Sequence, residues 1–422
     1  MRSGTIYLIC AGAGALNTAN AYRPFARDGR LSLPAFVTGM LTSELPLHAL
    51  GWQAAATIGF AARRAFPSAT GNLGLALSVA SWVGLAGLYR SAQRSRATLE
   101  SGLQQALGSR YLDRIPGRLR EVDELPLTRL QVTLPNRGSR RRYRHTRNLP
   151  YGTAGIHHQL DIWRRPDLDV DGAAPVLLQI HGGAWVMGRK DDDAGPLLAH
   201  MAERGWVCVS VNYRLSPAAT WPDQITDVKR AIAWVRENIA AHGGDPSFLA
   251  VTGGSAGGHL SALAALTAND GAFQEGFEQS DTSVQAAVPF YGLFDLTNRS
   301  GGTRSDTMSF LAEKVFKSER TEDLARWEAG SPLCRISAEA PPFLIIHGTN
   351  DSFLPVEQAR AFAAELGQVA VAPVAFVELP RTQHGFDFFS SVRVHHTVRA
   401  VERFLAYVYE SRRESHIKQR AV

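Results

Sequence analysis

From residue 175 onward, short apolar runs alternate with longer stretches of helical periodicity, and this alternation limits the possible folds more than any other feature. The runs are PVLLQI (175–180), WVCVSVNY (206–213), FLAVTG (248–253), VQAAVPFY (284–291), FLIIHG (343–348) and VAFVELP (374–380). Runs of this length suit strands buried on both faces, as in a parallel sheet. Between them lie helical patterns around residues 196–204, 224–242, 256–267, 356–366 and 392–409. In the second of these, Ile225, Val228, Ala231, Ile232 and Val235 form one apolar stripe. The reading is an α/β fold with a mainly parallel sheet flanked by helices on both faces. Residues 296–335 interrupt the rhythm with a Gly/Ser-rich, then helical, insert, where a lid over the strand ends would sit.

The front third follows a different rule. Residues 1–150 carry 20 arginines, no lysine and 7 acidic residues, whereas the remainder holds 25 basic and 32 acidic residues. Such asymmetry points to a membrane-facing or nucleic-acid-facing arm. Residues 71–89 form a 19-residue stretch without a charge, followed at once by Arg90, Arg94 and Arg96. At about 1.5 Å per residue it nearly crosses a hydrocarbon core of roughly 30 Å. A second uncharged stretch, 45–62, lies between Glu44 and Arg63, and Pro67, Ser68 and Gly71 make a turn between the two. The pair reads as a membrane hairpin with Trp52, Trp82 and Tyr89 as candidate interfacial anchors; the bland alternative is two buried helices of a soluble domain. Residues 5–22 are also uncharged, and Ala19-Asn20-Ala21 has the form of a signal-peptidase site. Asn17, Thr18 and Asn20 dilute that run, so a poor first membrane segment suits it better than a cleaved signal. The arginine bias for the cytoplasmic side is slight and leaves sidedness open.

Six arginines in eleven residues, Arg137 to Arg147, form the densest basic run. It reads as a solvated linker or a contact for anionic headgroups, which attract such a segment by about 1 kcal/mol per charge. No nucleic-acid-binding fold surrounds it and only Tyr143 offers stacking, so nucleic acid is not an expected partner. With 45% hydrophobic and 20% charged residues, the chain is not disordered, collagenous or a small disulfide scaffold. Cys10, Cys208 and Cys334 are odd in number and far apart, and no Cys/His spacing suggests zinc. The expected division is a helical, membrane-anchoring region at 1–95, a basic linker or cap at 96–150, and a catalytic domain at 151–412.

Chemistry enters with Gly253-Gly254-Ser255-Ala256-Gly257, a G-x-S-x-G pattern between an apolar strand and an Ala/Leu-rich helix. Small residues on either side allow the sharp turn that exposes a nucleophilic serine, and the helix start offers free N–H groups to an oxyanion. His181-Gly182-Gly183-Ala184-Trp185 follows the first strand. The backbone N–H groups of Gly182 and Gly183, with that of Ala256, are the expected oxyanion donors. A serine needs a base, and the base an orienting acid, in the chain order Ser, acid, His. Asp351 ends the strand at 343–348 and His384 follows the strand at 374–380, both facing the ligand crevice of such folds. Asp295 is a rival acid because it also follows a strand, and His181 precedes the serine and reads as a loop shaper. Asp191-Asp192-Asp193 reads as a helix start rather than a cation site. The pairs His157-His158 and His395-His396 point apart and suit no shared metal. Trp185 and Phe386 read as acyl-pocket walls or as core.

These residues resemble a known family. HGGAW, GGSAGG, HGTND and HGF, in that order across roughly residues 150–410, look like the hormone-sensitive-lipase-like branch of α/β-hydrolase esterases. The whole chain is also similar to membrane-associated actinobacterial lipases and esterases. The resemblance implies an α/β-hydrolase fold and, with no cofactor, hydrolysis of small-molecule or lipid acyl esters through a Ser255 acyl-enzyme. His384 would act as base then acid, and Asp351 as orienter. Two positions depart from the family pattern: its third loop glycine is Ala184, and the acid often found before the serine is Gly254. HGGAW also resembles the loop of kynurenine formamidases, so a formamidase or amidase, or an acyltransferase using the same triad, is the alternative. Acyl chain length and oligomeric state are not legible.

Overall fold

The computed structural model describes residues 3–26, 31–120 and 143–420. Most of the arginine run, with Pro126, Pro135 and Gly138, lies outside the described residues. The centre is an eight-stranded sheet of β1 (Arg144–Pro150), β2 (Gln159–Arg164), β3 (Ala174–Ile180), β4 (Val207–Val211), β5 (Gly244–Gly254), β6 (Ala286–Phe290), β7 (Phe343–Gly348) and β8 (Val374–Leu379). Its spatial order is β1-β2-β4-β3-β5-β6-β7-β8. The six expected apolar runs are β3 to β8, all parallel, while β1 and β2 add an antiparallel edge. That edge corrects the linker expectation at 144–150. An edge strand is bonded on one side only and tolerates arginine and proline, so it lacks the apolar pattern that marks a buried strand.

Around the described N-terminal part run α1 (Ser3–Tyr22), α2 (Ser32–Glu44), α3 (Pro46–Ala62) and the 39-residue α4 (Ala69–Leu107). The catalytic half adds α5 (Gly195–Glu203), α6 (Asp223–Asn238), α7 (Ala256–Leu266), α8 (Ser305–Phe310), α9 (Leu324–Ala329), α10 (Val356–Val369) and α11 (Val392–Arg420). Successive strand residues alternate between two cores, as the two-residue period of a strand requires. Leu178, Val209, Val251 and Ile345 meet α6, α7 and α10. Leu177, Cys208, Ala250 and Leu344 meet α5, α11 and, through Leu99 and Leu103, the second half of α4. The boundary expected at residue 95 therefore falls inside one continuous helix that both regions share. The 296–335 insert is packed down: Phe316 stacks on Trp327 at 4.2 Å, and Val315 accepts the Trp221 N–H at 3.0 Å.

The helices before residue 90 pack with polar atoms inside. The buried Tyr7 hydroxyl lies 3.1 Å from Thr57 Oγ1 and 2.9 Å from Ser78 Oγ, Thr18 Oγ1 is 2.8 Å from Ser81 Oγ, and Tyr22 donates to Gly84 O at 2.8 Å. Large apolar side chains face outward instead, with Trp52 77%, Ile58 70% and Val83 70% exposed. Of the described helices, only α4 is long and apolar enough on its own to cross a membrane; α3, the other half of the expected hairpin, has 17 residues.

One buried ion pair joins the two regions. Arg393 Nε on α11 donates to Glu44 Oε1 on α2 at 2.8 Å, and both side chains are fully buried. Ser391 Oγ donates to the other carboxylate oxygen at 2.7 Å. The guanidinium also donates to Ser95 Oγ on α4 and to Pro380 O, each at 3.1 Å. Removing one member of a buried pair strands the other charge. Arg393→Met is therefore expected to lower unfolding free energy by about 3–5 kcal/mol. The double variant Glu44→Leu/Arg393→Met should lose less than Arg393→Met alone, as read from unfolding in detergent micelles; additive losses would show that the two side chains are uncoupled.

Candidate active site

β5 delivers Ser255 to the turn before α7, with φ 58° and ψ −120°. From Phe248 to Ala265 every residue but Ser255 is buried. A left-handed serine costs of order 1–3 kcal/mol and persists only where its surroundings enforce it. Here the enforcement is close backbone approach: a Cβ on Gly257 would lie 2.0 Å from Ile180 O. Gly254, where the family often has an acid, is explained by Tyr291, whose hydroxyl would lie 2.6 Å from a Cβ there.

The loops after β7 and β8 bring the expected acid and base together. His384 Nδ1 lies 2.7 Å from Asp351 Oδ2. The other carboxylate oxygen accepts from the Phe353 and Leu354 amides at 2.9 and 2.7 Å, while His347 Nε2 lies 3.3 Å from Oδ2. Burial alone would push the Asp351 carboxyl up. The charge on His384 and hydrogen bonds from His347 and His384 outweigh it and hold the group well below the usual carboxylate range. Gln383 Oε1 clamps the two loops by accepting from Ser352 N at 2.7 Å and His384 N at 2.9 Å. Tyr291 packs its ring 4.6 Å from His384 and donates to the buried Asp387. Asp295 is not brought to a histidine: it accepts from Thr297 Oγ1, Ser300 N and Ser300 Oγ, all at 2.7 Å, and shapes its own loop.

The glycine loop differs from expectation at one donor. The Gly182 amide donates to Asp193 Oδ2 at 2.5 Å, so it is already spent. The amides of Gly183, Ala184 and Ala256 have no protein acceptor among the described residues. Gly183 has φ 109°, and a Cβ there would lie 2.0 Å from Met187 O; Ala184 and Trp185 follow at φ 52° and 62°. The loop is thus wound left-handed over three successive residues. Asp193, part of the run read as a helix start, serves this loop, and α5 has no side-chain cap. His181 stacks on Tyr213 at 4.3 Å and donates Nδ1–H to Gly182 O at 2.6 Å, with burial lowering its pKa to about 4. Trp185 and Phe386 are both core residues.

Sequence reasoning missed His259, on the nucleophile helix α7. It accepts Trp185 Nε1–H at Nδ1 (3.2 Å) and donates from Nε2 to Gly330 O (2.8 Å). Burial lowers its pKa to about 4, so the ring is a neutral spacer between the glycine loop and the insert. His158 pairs with Asp227 at 2.9 Å, and the His395 and His396 rings lie at 76° to one another. Among the described residues no three His, Cys, Asp or Glu side chains converge as a metal site.

Two outcomes follow from these contacts. His259→Leu leaves the Trp185 N–H and Gly330 C=O unpaired and is expected to cost about 2–4 kcal/mol of stability, with a lower kcat; His259→Gln should recover part of both. Burial pushes the Asp193 carboxyl up to about 6. A raised carboxyl stabilises the fold while it holds its proton, and that contribution disappears as pH rises through 6. The stability of Asp193→Asn relative to wild type should therefore increase between pH 4 and pH 7, by on the order of 1 kcal/mol after allowance for partial solvent exposure. A difference in melting temperature that does not change with pH would refute this assignment.

The BD-FAE family model matches residues 160–366. Over 95% of its length the chain is 47% identical to 93% of the probable carboxylic ester hydrolase LipM of Mycobacterium tuberculosis. It is 42% identical to the esterase LipQ of the same organism over the same shares of both chains. Among solved structures, 63% of the chain overlays 94% of the butyrate-bound esterase Est2 of Thermogutta terrifontis with a TM-score of 0.52 and 26% identity. A truncated carbohydrate esterase from gut microbiota is covered to 98%, with a TM-score of 0.54 and 27% identity. With the sheet order, the strained serine turn and the histidine–aspartate pair all in place, these likenesses lead to one conclusion: the chain belongs to the hormone-sensitive-lipase-like family of α/β-hydrolases and is a carboxylic ester hydrolase.

Proposed function

We propose that the chain is a membrane-associated serine carboxylesterase in which Ser255, His384 and Asp351 form the triad. The observation that carries this reading is the 2.7 Å His384–Asp351 contact on loops that follow adjacent strands, in a site where Ser255 alone of its segment is only half-buried. Asp351 fixes the imidazole with its proton on Nδ1, leaving Nε2 free to take the Ser255 proton. Ser255 Oγ then bonds to the acyl carbon, and the oxygen that gains charge is held by the amides of Gly183, Ala184 and Ala256. Collapse breaks the ester C–O bond, and His384 returns the proton to the leaving alcohol. Water repeats the sequence on the acyl-enzyme and releases the acid.

Membrane association is the reading that best suits residues 1–95, where helices pack hydroxyl and small side chains inward and expose large apolar ones. Bundles in lipid show this distribution because close packing and interhelical hydrogen bonds hold them together. Residues 151–412, extended at the front by the edge strand β1 at 144–150, are then the catalytic domain. Hydrolysis of p-nitrophenyl esters from acetate to palmitate should fall by at least about 10³-fold in Ser255→Ala, with the far-ultraviolet spectrum unchanged. Retained turnover in that variant would end the serine mechanism, and the wild-type chain-length profile would separate esterase from lipase.

A further inference from the structure

Helix α2 touches the catalytic machinery directly. The ring of Phe36 lies 6.1 Å from that of His384 and 4.7 Å from that of Phe353, which is itself 5.7 Å from His384. The far end of the helix carries Glu44, bonded to Arg393. Both ends of α2 therefore rest on the catalytic domain, and the helix lies along its face. Across the helix from the buried Ala35, Gly39 and Ser43, the surface is bare: Leu33, Val37 and Leu41, spaced four apart, are 58%, 37% and 40% exposed. The apolar surface recurs on the catalytic loops, where Met187 is 64% and Phe388 41% exposed.

The level of this helix relative to a bilayer follows from α4. The uncharged stretch 71–89 ends at the exposed Arg90, Arg94 and Arg96, the position expected for a headgroup boundary. Ser91, beside Arg90, donates to Pro380 O at 3.4 Å, four residues before His384. At the end of α1, Ala21 O and Tyr22 O each accept from Asn350 Nδ2 at 2.9 Å, next to Asp351. The acid and base loops thus sit where the apolar stretch stops, at the depth where an amphipathic helix lies in the interface.

We propose that α2 is the entrance of the active site and that it opens to the bilayer. Leu33, Val37 and Leu41 contact acyl chains, Phe36 forms the inner wall beside His384, and the substrate class is an ester dissolved in lipid with a long acyl chain. This rests on the membrane esterase reading above. The full chain in phosphatidylcholine vesicles is tested with 4-methylumbelliferyl oleate in the bilayer and the acetate in water. In Leu33→Ser/Val37→Ser/Leu41→Ser, the ratio of kcat/KM for oleate to that for acetate should fall at least about tenfold, mainly through the KM for oleate. The variant should still float with the vesicles, because α4 is intact. Phe36→Ala should shift the preferred acyl length while leaving the order of the other two results. An unchanged ratio in the triple variant, with Ser255→Ala inactive on both esters, would overturn the entrance and leave the esterase standing. Loss of flotation together with oleate turnover would assign α2 to anchoring alone and also overturn it. Turnover by Ser255→Ala would instead remove the reading on which the entrance rests.

Discussion

The ion pair between Glu44 and Arg393 fixes the relation between the helical region and the catalytic site. Two charges removed from water cost several kcal/mol each, and this is offset only when geometry and additional hydrogen bonds are good. Here Ser391, Ser95 and Pro380 supply those bonds, so α2, α4, α11 and the segment leading to His384 meet at one guanidinium. A wrong docking of the helices would leave a charge unpaired in an apolar setting. The pair thus selects one arrangement of the two regions, and the position of the histidine loop becomes a property of both.

Within the catalytic domain, histidines are sorted by their partners. Among the described residues His181 and His259 make no carboxylate hydrogen bond, and burial lowers both to about 4, so they are neutral spacers with fixed tautomers at physiological pH. His384, by contrast, has the Asp351 carboxylate 2.7 Å from its Nδ1. The spacer at His259 connects the glycine loop through Trp185 and the 296–335 insert through Gly330. Amides proposed as oxyanion donors on a left-handed loop would be useful only if they did not move, and this relay is one of the restraints on that loop.

What was legible in the sequence reflects how local each signal is. The six buried strands read correctly because a strand covered on both faces must be apolar at nearly every position. Ser255, Asp351 and His384 stand out in the sequence because each follows such a strand, and the structure brings Asp351 and His384 together. The edge strand β1 and its antiparallel neighbour β2 carry Arg147, Asp161 and Arg164 and gave no apolar pattern, so part of the arginine run was read as a linker. Gly182 was expected as a donor because it is one of two consecutive glycines directly after a strand, whereas its amide is committed to Asp193, eleven residues away. Phe36 was invisible for a different reason: its approach to His384 spans nearly 350 residues, and nothing near either position announces it. Long-range placement of a side chain has no local signature.

The two regions also obey opposite rules about solvent. In the catalytic domain, apolar strands are inside, as the hydrophobic effect requires in water. In the helices before residue 90, Tyr7, Thr18, Ser78 and Ser81 are inside and Ile58 and Val83 outside. Placed in water, that arrangement would forgo the burial of its largest apolar side chains. Placed in lipid, it leaves those side chains solvated by acyl chains and lets hydroxyl pairs and close helix contact hold the bundle. On the membrane reading proposed above, a chain that follows both rules would fold at a boundary between the two solvents. The groups that cross from one rule to the other, Ser91, Glu44, Ala21 and Tyr22, are also those that touch the loops around Asp351 and His384. Chemistry on an ester whose acyl chain prefers lipid and whose products differ in polarity is best placed at that boundary.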